Sequence, residues 1–157
     1  MGLQQNIQKD PVSRLALREP VTISSSETLR TAIERMREAK LGCAIAVGDD
    51  HKPLGVLTES KLTQLLAEHG SQVVDETVAS HMTEPCPCVQ LTDPIACVLE
   101  AMQLKNTRFM CVVDSEGRLV GLTGQKGLIE FVADHFPGQV MVQRVGGNPY
   151  PAEREGA

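Results

Sequence analysis

The 157-residue sequence predicts an α/β (α+β) fold of two tandem β-α-β-β-α repeats packed about a pseudo-two-fold axis. Three observations predict it. First, the halves align without a gap at an offset of 66 positions, from Val12/Val78 to His69/His135. Second, each half carries one stretch with apolar residues at i, i+3, i+4 and i+7 and another that repeats the spacing with His at i+7, separated by two short apolar runs around a turn. Third, a unit of about 60 residues buries too little surface to be comfortably stable alone, so two such units should share a core.

The duplication shows in identities such as Glu34/Glu100, Met36/Met102, Val47/Val113, Gly55/Gly121, Leu62/Leu128 and Ala67/Ala133. Each copy opens on a short extended run, Val21 to Ile23 or Pro87 to Val89. Ser26, and Thr92 or Asp93, offer N-caps for the helix that follows, and Pro94 suits its first turn. The first helix carries Leu29, Ala32, Ile33 and Met36, its counterpart Ile95, Val98, Leu99 and Met102. Gly42 is a natural stop for the earlier one. An apolar strand follows (Cys43 to Val47, Phe109 to Val113), then a polar turn and a second strand (Leu54 to Leu57, Leu119 to Thr123). The second helix carries Leu62, Leu65, Leu66 and His69, or Leu128, Phe131, Val132 and His135. From this spacing Leu29, Ile33, Met36, Leu62, Leu66, Ile95, Leu99, Met102, Leu128 and Val132 are expected in the core.

These elements divide the chain into a flexible N-terminus (1–9), a first repeat (10–70), and a second repeat with its linker (71–136). A Gly- and Pro-rich tail, 137–157, is expected to be flexible. Short lead-in helices are expected from Asp10-Pro11-Val12 and near Thr77.

Composition narrows the function classes. A net charge of −5 argues against a nucleic-acid backbone as partner, and with no Trp, one Tyr and three Phe there is no stacking platform for bases. The apolar runs are too short for membrane insertion, and Met1 to Asp10 lacks the apolar stretch of a secretory signal. The expected location is cytoplasmic. Of five cysteines, Cys43, Cys97 and Cys111 lie in apolar patterns and read as small buried hydrophobes. Cys86-Pro87-Cys88 is the one close pair, both thiols facing the same way on an extended strand, but no second ligand pair accompanies it. No metal is expected. His69 and His135 suit helix C-termini, and no His, carboxylate or nucleophile shows catalytic spacing, so no enzyme activity is expected.

The sequence resembles a CBS-domain pair, or Bateman module. The lead-in Val-x-x-x-Met-Thr of that family stands here at Val78 to Thr83, and its Val-Val-Asp strand end at Val112-Val113-Asp114. Its Gly-apolar-apolar-Thr-x-x-Asp segment corresponds to Gly55 to Lys61 and to Gly121 to Gly127. The resemblance implies a homodimeric regulatory module with two clefts between its repeats. Those clefts would take adenosine-containing ligands: AMP, ADP or ATP, S-adenosylmethionine, or sometimes NAD. The regulated partner protein is not implied.

Residues matched to the family's base-facing edge are Thr22, Cys43, Ala44, Gly55, Thr58 and Lys61 in the first copy. In the second they are Cys88, Phe109, Met110, Gly121, Gly124 and Lys126, with Arg108 available for phosphate. The glycines would let backbone approach the ligand and Thr58 would cap the second helix and touch phosphate or sugar. The family's ribose-binding Asp is replaced by Lys61 and Gly127, neither of which accepts a hydrogen bond from a diol through its side chain. Two readings follow. The clefts bind a phosphate-rich or other anionic ligand through Lys61, Arg108 and Lys126, or they are empty and the module serves dimerisation and partner contact.

Overall fold

Helix boundaries in the computed structural model, which describes residues 2–136, are set by local chemistry that recurs between the halves. Thr28, extended, caps α2 (Leu29–Ala39) by accepting from the Thr31 N–H. Its counterpart Pro94 precedes α4 (Ile95–Lys105) without a side-chain cap. The caps are thus Thr28 and Pro94 rather than Ser26, Thr92 or Asp93. The acidic residues act one step earlier instead, Glu27 accepting from Ser24 N and Asp93 from Gln90 N, both at 2.8 Å. Nor does Gly42 stop α2. The left-handed terminal residue is Lys40, matched by Asn106 after α4.

All the remaining repeat elements recur at the same offset. The strands β1 (Thr22–Ser24), β2 (Cys43–Val47) and β3 (Pro53–Thr58) reappear as β4 (Cys88–Gln90), β5 (Phe109–Val113) and β6 (Leu119–Gly124). Helix α3 (Glu59–His69) reappears as α5 (Gln125–His135), and the 3-10 turn Val12–Arg14 as Val78–Ser80. Each repeat forms a three-stranded sheet in which the first strand runs parallel to the second, and the second pairs antiparallel with the third. Even the irregularities repeat, with register shifts at Ala46/Val47 and Val112/Val113 and left-handed turn residues at His51 and Gly117. Both copies therefore obey one set of local rules.

The lead-in segments cross over reciprocally. Each docks on the opposite repeat, with Val12 N donating to Asp93 O (2.8 Å) and Val78 N to Glu27 O (2.9 Å). Val12 and Val78 are fully buried there. Farther along, Arg18 bridges Leu122, and Thr83 bridges Val56. This crossing explains Gly55 and Gly121. A Cβ on Gly55 would lie 2.8 Å from Met82 Sδ, and one on Gly121 3.0 Å from Leu17 Cβ. Both glycines admit a crossing chain.

Three apolar clusters result. One sits under each sheet with its borrowed lead-in, and a third lies in the seam between repeats, built from Cys43, Ile45, Val56, Cys86, Cys111, Leu119 and Leu122. Leu29, Met36, Leu62, Ile95 and Met102 are buried as expected, while Ile33, Leu128 and Val132 are only half-buried. Leu66 and Leu99 are exposed at 40% and 36%, and their neighbours Leu65 and Val98 take the core positions. Adjacent apolar residues fit the helical period in two phases, and packing chose the other one.

Residues 3–9, expected to be flexible, form α1 (Leu3–Lys9), with Ile7 packed on the second repeat's cluster. At the other end, His135 Nδ1 meets Phe131 O at 3.0 Å, closing the last turn of α5. The expected flexible tail lies outside the described residues. No helix among the described residues is long and apolar enough to cross a membrane.

Candidate functional site

The two hairpins deliver chain differently into the helices that follow. Thr58 ends β3 and caps α3, its Oγ1 accepting from Lys61 N at 3.1 Å. At the equivalent place Gly124 leaves α5 with no side-chain cap. Its extended backbone is ordinary, but a Cβ there would collide with the Arg108 carbonyl and sit 3.0 Å from Phe109 Cα. Close approach of the start of β5 therefore excludes a capping side chain. The first-turn N–H groups of an α-helix have no intrahelical partner, and their combined dipole favours negative charge. At α5 the Gln125 N–H donates to the Arg108 carbonyl at 3.4 Å, no side chain caps the rest of the first turn, and the terminus lines a cleft.

The cleft has a volume of 1190 Å³ and is shared by the two repeats. Leu41 to Cys43 and Thr58 to Ser60 come from the first repeat, and Leu99, Arg108, Phe109 and Thr123 to Leu128 from the second. Ala16 and Arg18 enter from the crossing lead-in. Three cations face it: Arg18, Arg108 and Lys126. Lys126 Nζ lies 3.5 Å from Glu130 Oε1, whereas Arg18 and Arg108 form no ion pair among the described residues. Glu59 brings an acceptor to the opposite wall, and its charge, second to burial, helps push the Cys43 thiol up to about 11. Cys43 stays protonated at neutral pH.

Thr123 is the most informative residue of the wall. It is 4% exposed, and its Oγ1 has no hydrogen-bond partner. A Cβ on Gly127 would lie 2.8 Å from that oxygen and 3.3 Å from Ala16 O. Gly127, at the position where the family pattern has a carboxylate, thus leaves room for the buried Thr123 hydroxyl behind the cleft wall. A buried hydroxyl without a partner costs about 1–3 kcal/mol of stability.

The structure gathers Cys43, Thr58, Arg108, Phe109, Gly124 and Lys126 into this single cleft. Thr22 lines a smaller neighbouring cleft of 630 Å³ with Arg18 and Arg35. Ala44 and Met110 are fully buried under their own sheets and present no side-chain surface. Gly55 and Gly121 face the crossing lead-ins, and Lys61 and Cys88 line neither cleft. Sequence reasoning missed Arg18 and Thr123. Nothing local signals Arg18, because its placement depends on the crossing. Thr123 did leave a signal: a polar residue where the other repeat has Leu57.

Duplicated β-α-β-β-α units with crossed lead-ins and a ligand-sized cleft between them define a paired-domain architecture. The family model for the CBS domain matches residues 12–68 and again 76–134, and the chain belongs to the CBS-domain family. An uncharacterised protein of Methanopyrus kandleri is 27% identical over 120 residues, covering 76% of this chain and 61% of that one. Among solved structures, a CBS domain protein from Pyrobaculum aerophilum complexed with AMP has a TM-score of 0.67 and 24% identity. The match covers 78% of this chain and 98% of that chain. A CBS domain pair in complex with 5′-methylthioadenosine and S-adenosyl-L-methionine gives a TM-score of 0.69 at 19% identity, covering 80% and 97%.

Proposed function

We propose that this chain is a regulatory, non-catalytic module that senses an adenine nucleotide or another small anionic metabolite in the cleft between its repeats. The observation that carries this reading is the N-terminus of α5, which has no side-chain cap and lines the cleft beside Arg18, Arg108 and Lys126. Backbone N–H groups at a helix N-terminus and guanidinium forks suit phosphate oxygens. Glu59 and Glu130 offer acceptors for sugar hydroxyls in place of the missing Asp. The AMP and S-adenosylmethionine complexes of the two solved pairs agree with a ligand of this size and class.

AMP, ADP and ATP are the first candidates, with NAD and S-adenosylmethionine behind them because they present less exposed negative charge. The module acts as a cytoplasmic homodimer, with repeats at 10–70 and 71–136, and reports to a partner protein. A second reading, a ligand-free interaction scaffold, draws on exposed apolar residues such as Leu104 (87%) and Ile129 (68%).

A thermal-shift panel of adenine and guanine nucleotides, NAD, S-adenosylmethionine and adenosine tests the proposal. A ligand at a hundred times its dissociation constant adds about 2.7 kcal/mol of stability. Phosphorylated adenosines should raise the melting temperature more than adenosine does. Equal shifts by AMP and adenosine would overturn the anion-led reading, and no shift by any of them would favour the scaffold.

A further inference from the structure

Away from the cleft, three cysteines converge. The sulfur atoms of Cys86, Cys88 and Cys111 all lie within 4.8 Å of one another, with Cys86 Sγ 3.1 Å from Cys111 Sγ. All are free thiols. Their convergence is imposed by backbone. Cys88 in β4 is the register partner of Cys111 in β5, and Cys111 N donates to Pro87 O at 2.9 Å. Cys86, two residues before Cys88, turns into the seam between the repeats, where it and Cys111 are buried, whereas Cys88 stays at the exposed edge. Packing explains a buried cysteine on its own. The third sulfur, Cys88 Sγ, lies on the solvent side and donates to the Cys86 carbonyl at 3.3 Å, which holds it beside the other two.

We propose that Cys86, Cys88 and Cys111 form a binding site for one soft divalent cation of the zinc class, with its fourth position open to solvent beside Cys88. Thiolates select such ions over magnesium or calcium, which require oxygen ligands. Zinc–sulfur bonds of about 2.3 Å place ligating sulfurs about 3.8–4 Å apart, so this cluster needs only small side-chain movements to close on an ion. Three thiolates and a divalent ion leave one net negative charge. A monovalent soft ion would leave two in a site whose sulfurs are mostly buried, at a greater desolvation cost.

Binding needs no redox step. As the ion arrives, Cys86, Cys88 and Cys111 each lose a proton to solvent, and three metal–sulfur bonds replace bonds from the ion to water. Affinity should consequently rise with pH. Two of the three ligands belong to the seam cluster, so the ion would tie β4, β5 and the segment before β4 together there.

The test is titration of the reduced, metal-stripped protein with Zn²⁺, and with Co²⁺ as a spectroscopic probe. One ion per chain is expected, with intense near-ultraviolet thiolate-to-cobalt charge transfer. Cys88→Ser, at an exposed position, should keep the fold and weaken binding at least tenfold. Cys97→Ser, outside the cluster, should bind as wild type. Absence of one-to-one binding at micromolar protein would overturn the proposal, as would wild-type affinity in Cys88→Ser or its loss in Cys97→Ser. A Cys111→Ser variant, checked for fold by circular dichroism, should lose the same charge-transfer band, and its retention would also overturn the assignment.

Discussion

Replacing Ile95 by alanine should destabilise the protein far more than replacing Leu99, one turn further along the same helix. Ile95 is fully buried in the second repeat's cluster, whereas Leu99 is 36% exposed in the wall of the cleft. Each change removes three carbons. At about 0.8 kcal/mol per buried methylene the transfer loss for Ile95 is about 2.4 kcal/mol. Its closed surroundings then add a cavity cost, which brings the total into the range of about 2.5–5 kcal/mol. Leu99 forfeits only its buried part, about 1.5 kcal/mol, because solvent in the cleft fills the space left behind. Urea unfolding followed by circular dichroism reads the difference. With a slope of about 2 kcal/mol/M, the midpoint should fall by more than about 1.2 M for Ile95→Ala and by about 0.7 M for Leu99→Ala. Equal losses, or a larger loss at Leu99, would show that the helix packs in the other phase and that the cleft wall is misplaced.

Three further outcomes follow from particular groups. Thr123→Val removes a buried hydroxyl with no partner, so it should raise the melting temperature of the ligand-free protein. A lower ligand-free melting temperature would contradict this. Glu27 is held below the usual carboxylate range, chiefly by the Ser24 N–H and further by Arg35, against some burial cost. A depressed pKa contributes stability above the unfolded value of about 4.3, lost as pH falls through the folded value. Glu27→Gln should therefore be less stable than wild type at about pH 7 and flatten the decline in stability below about pH 4. Urea midpoints across that range check it, and parallel profiles would contradict it. Sedimentation equilibrium at micromolar concentration should show a dimer, with Ile129→Glu tested for dissociation; monomer alone in the wild type would remove the dimer from the proposal.

The regular elements were readable because each rests on short-range chemistry. Helical spacing, alternating apolar runs and polar turns act over a few residues, and the duplication supplied every one of them twice. Leu66 and Leu99 show the limit of that information. Each sits next to another apolar residue, Leu65 or Val98, and only the packed structure decides which of the pair turns inward. The crossing of the lead-ins was not readable, since nothing in the residues around Val12 or Val78 says which sheet they will meet. Two site consequences were hidden with it: Arg18 reaches the cleft from the other repeat's wall, and Gly55 and Gly121 serve the crossing chain. The cysteine cluster was half visible. Cys86 and Cys88 were a close pair in sequence, and the strand register supplied the third sulfur from Cys111.

Calorimetric titration of AMP and adenosine into wild type and Arg108→Ala tests the central claim, that an anion bound at the N-terminus of α5 dominates recognition in the cleft. Charge-assisted hydrogen bonds contribute about 1.5–3 kcal/mol each. AMP should therefore bind wild type at least tenfold more tightly than adenosine, and Arg108→Ala should erase about a tenfold or greater part of that advantage while leaving adenosine unchanged. Equal affinities for AMP and adenosine in the wild type, or an AMP affinity indifferent to Arg108, would contradict the account.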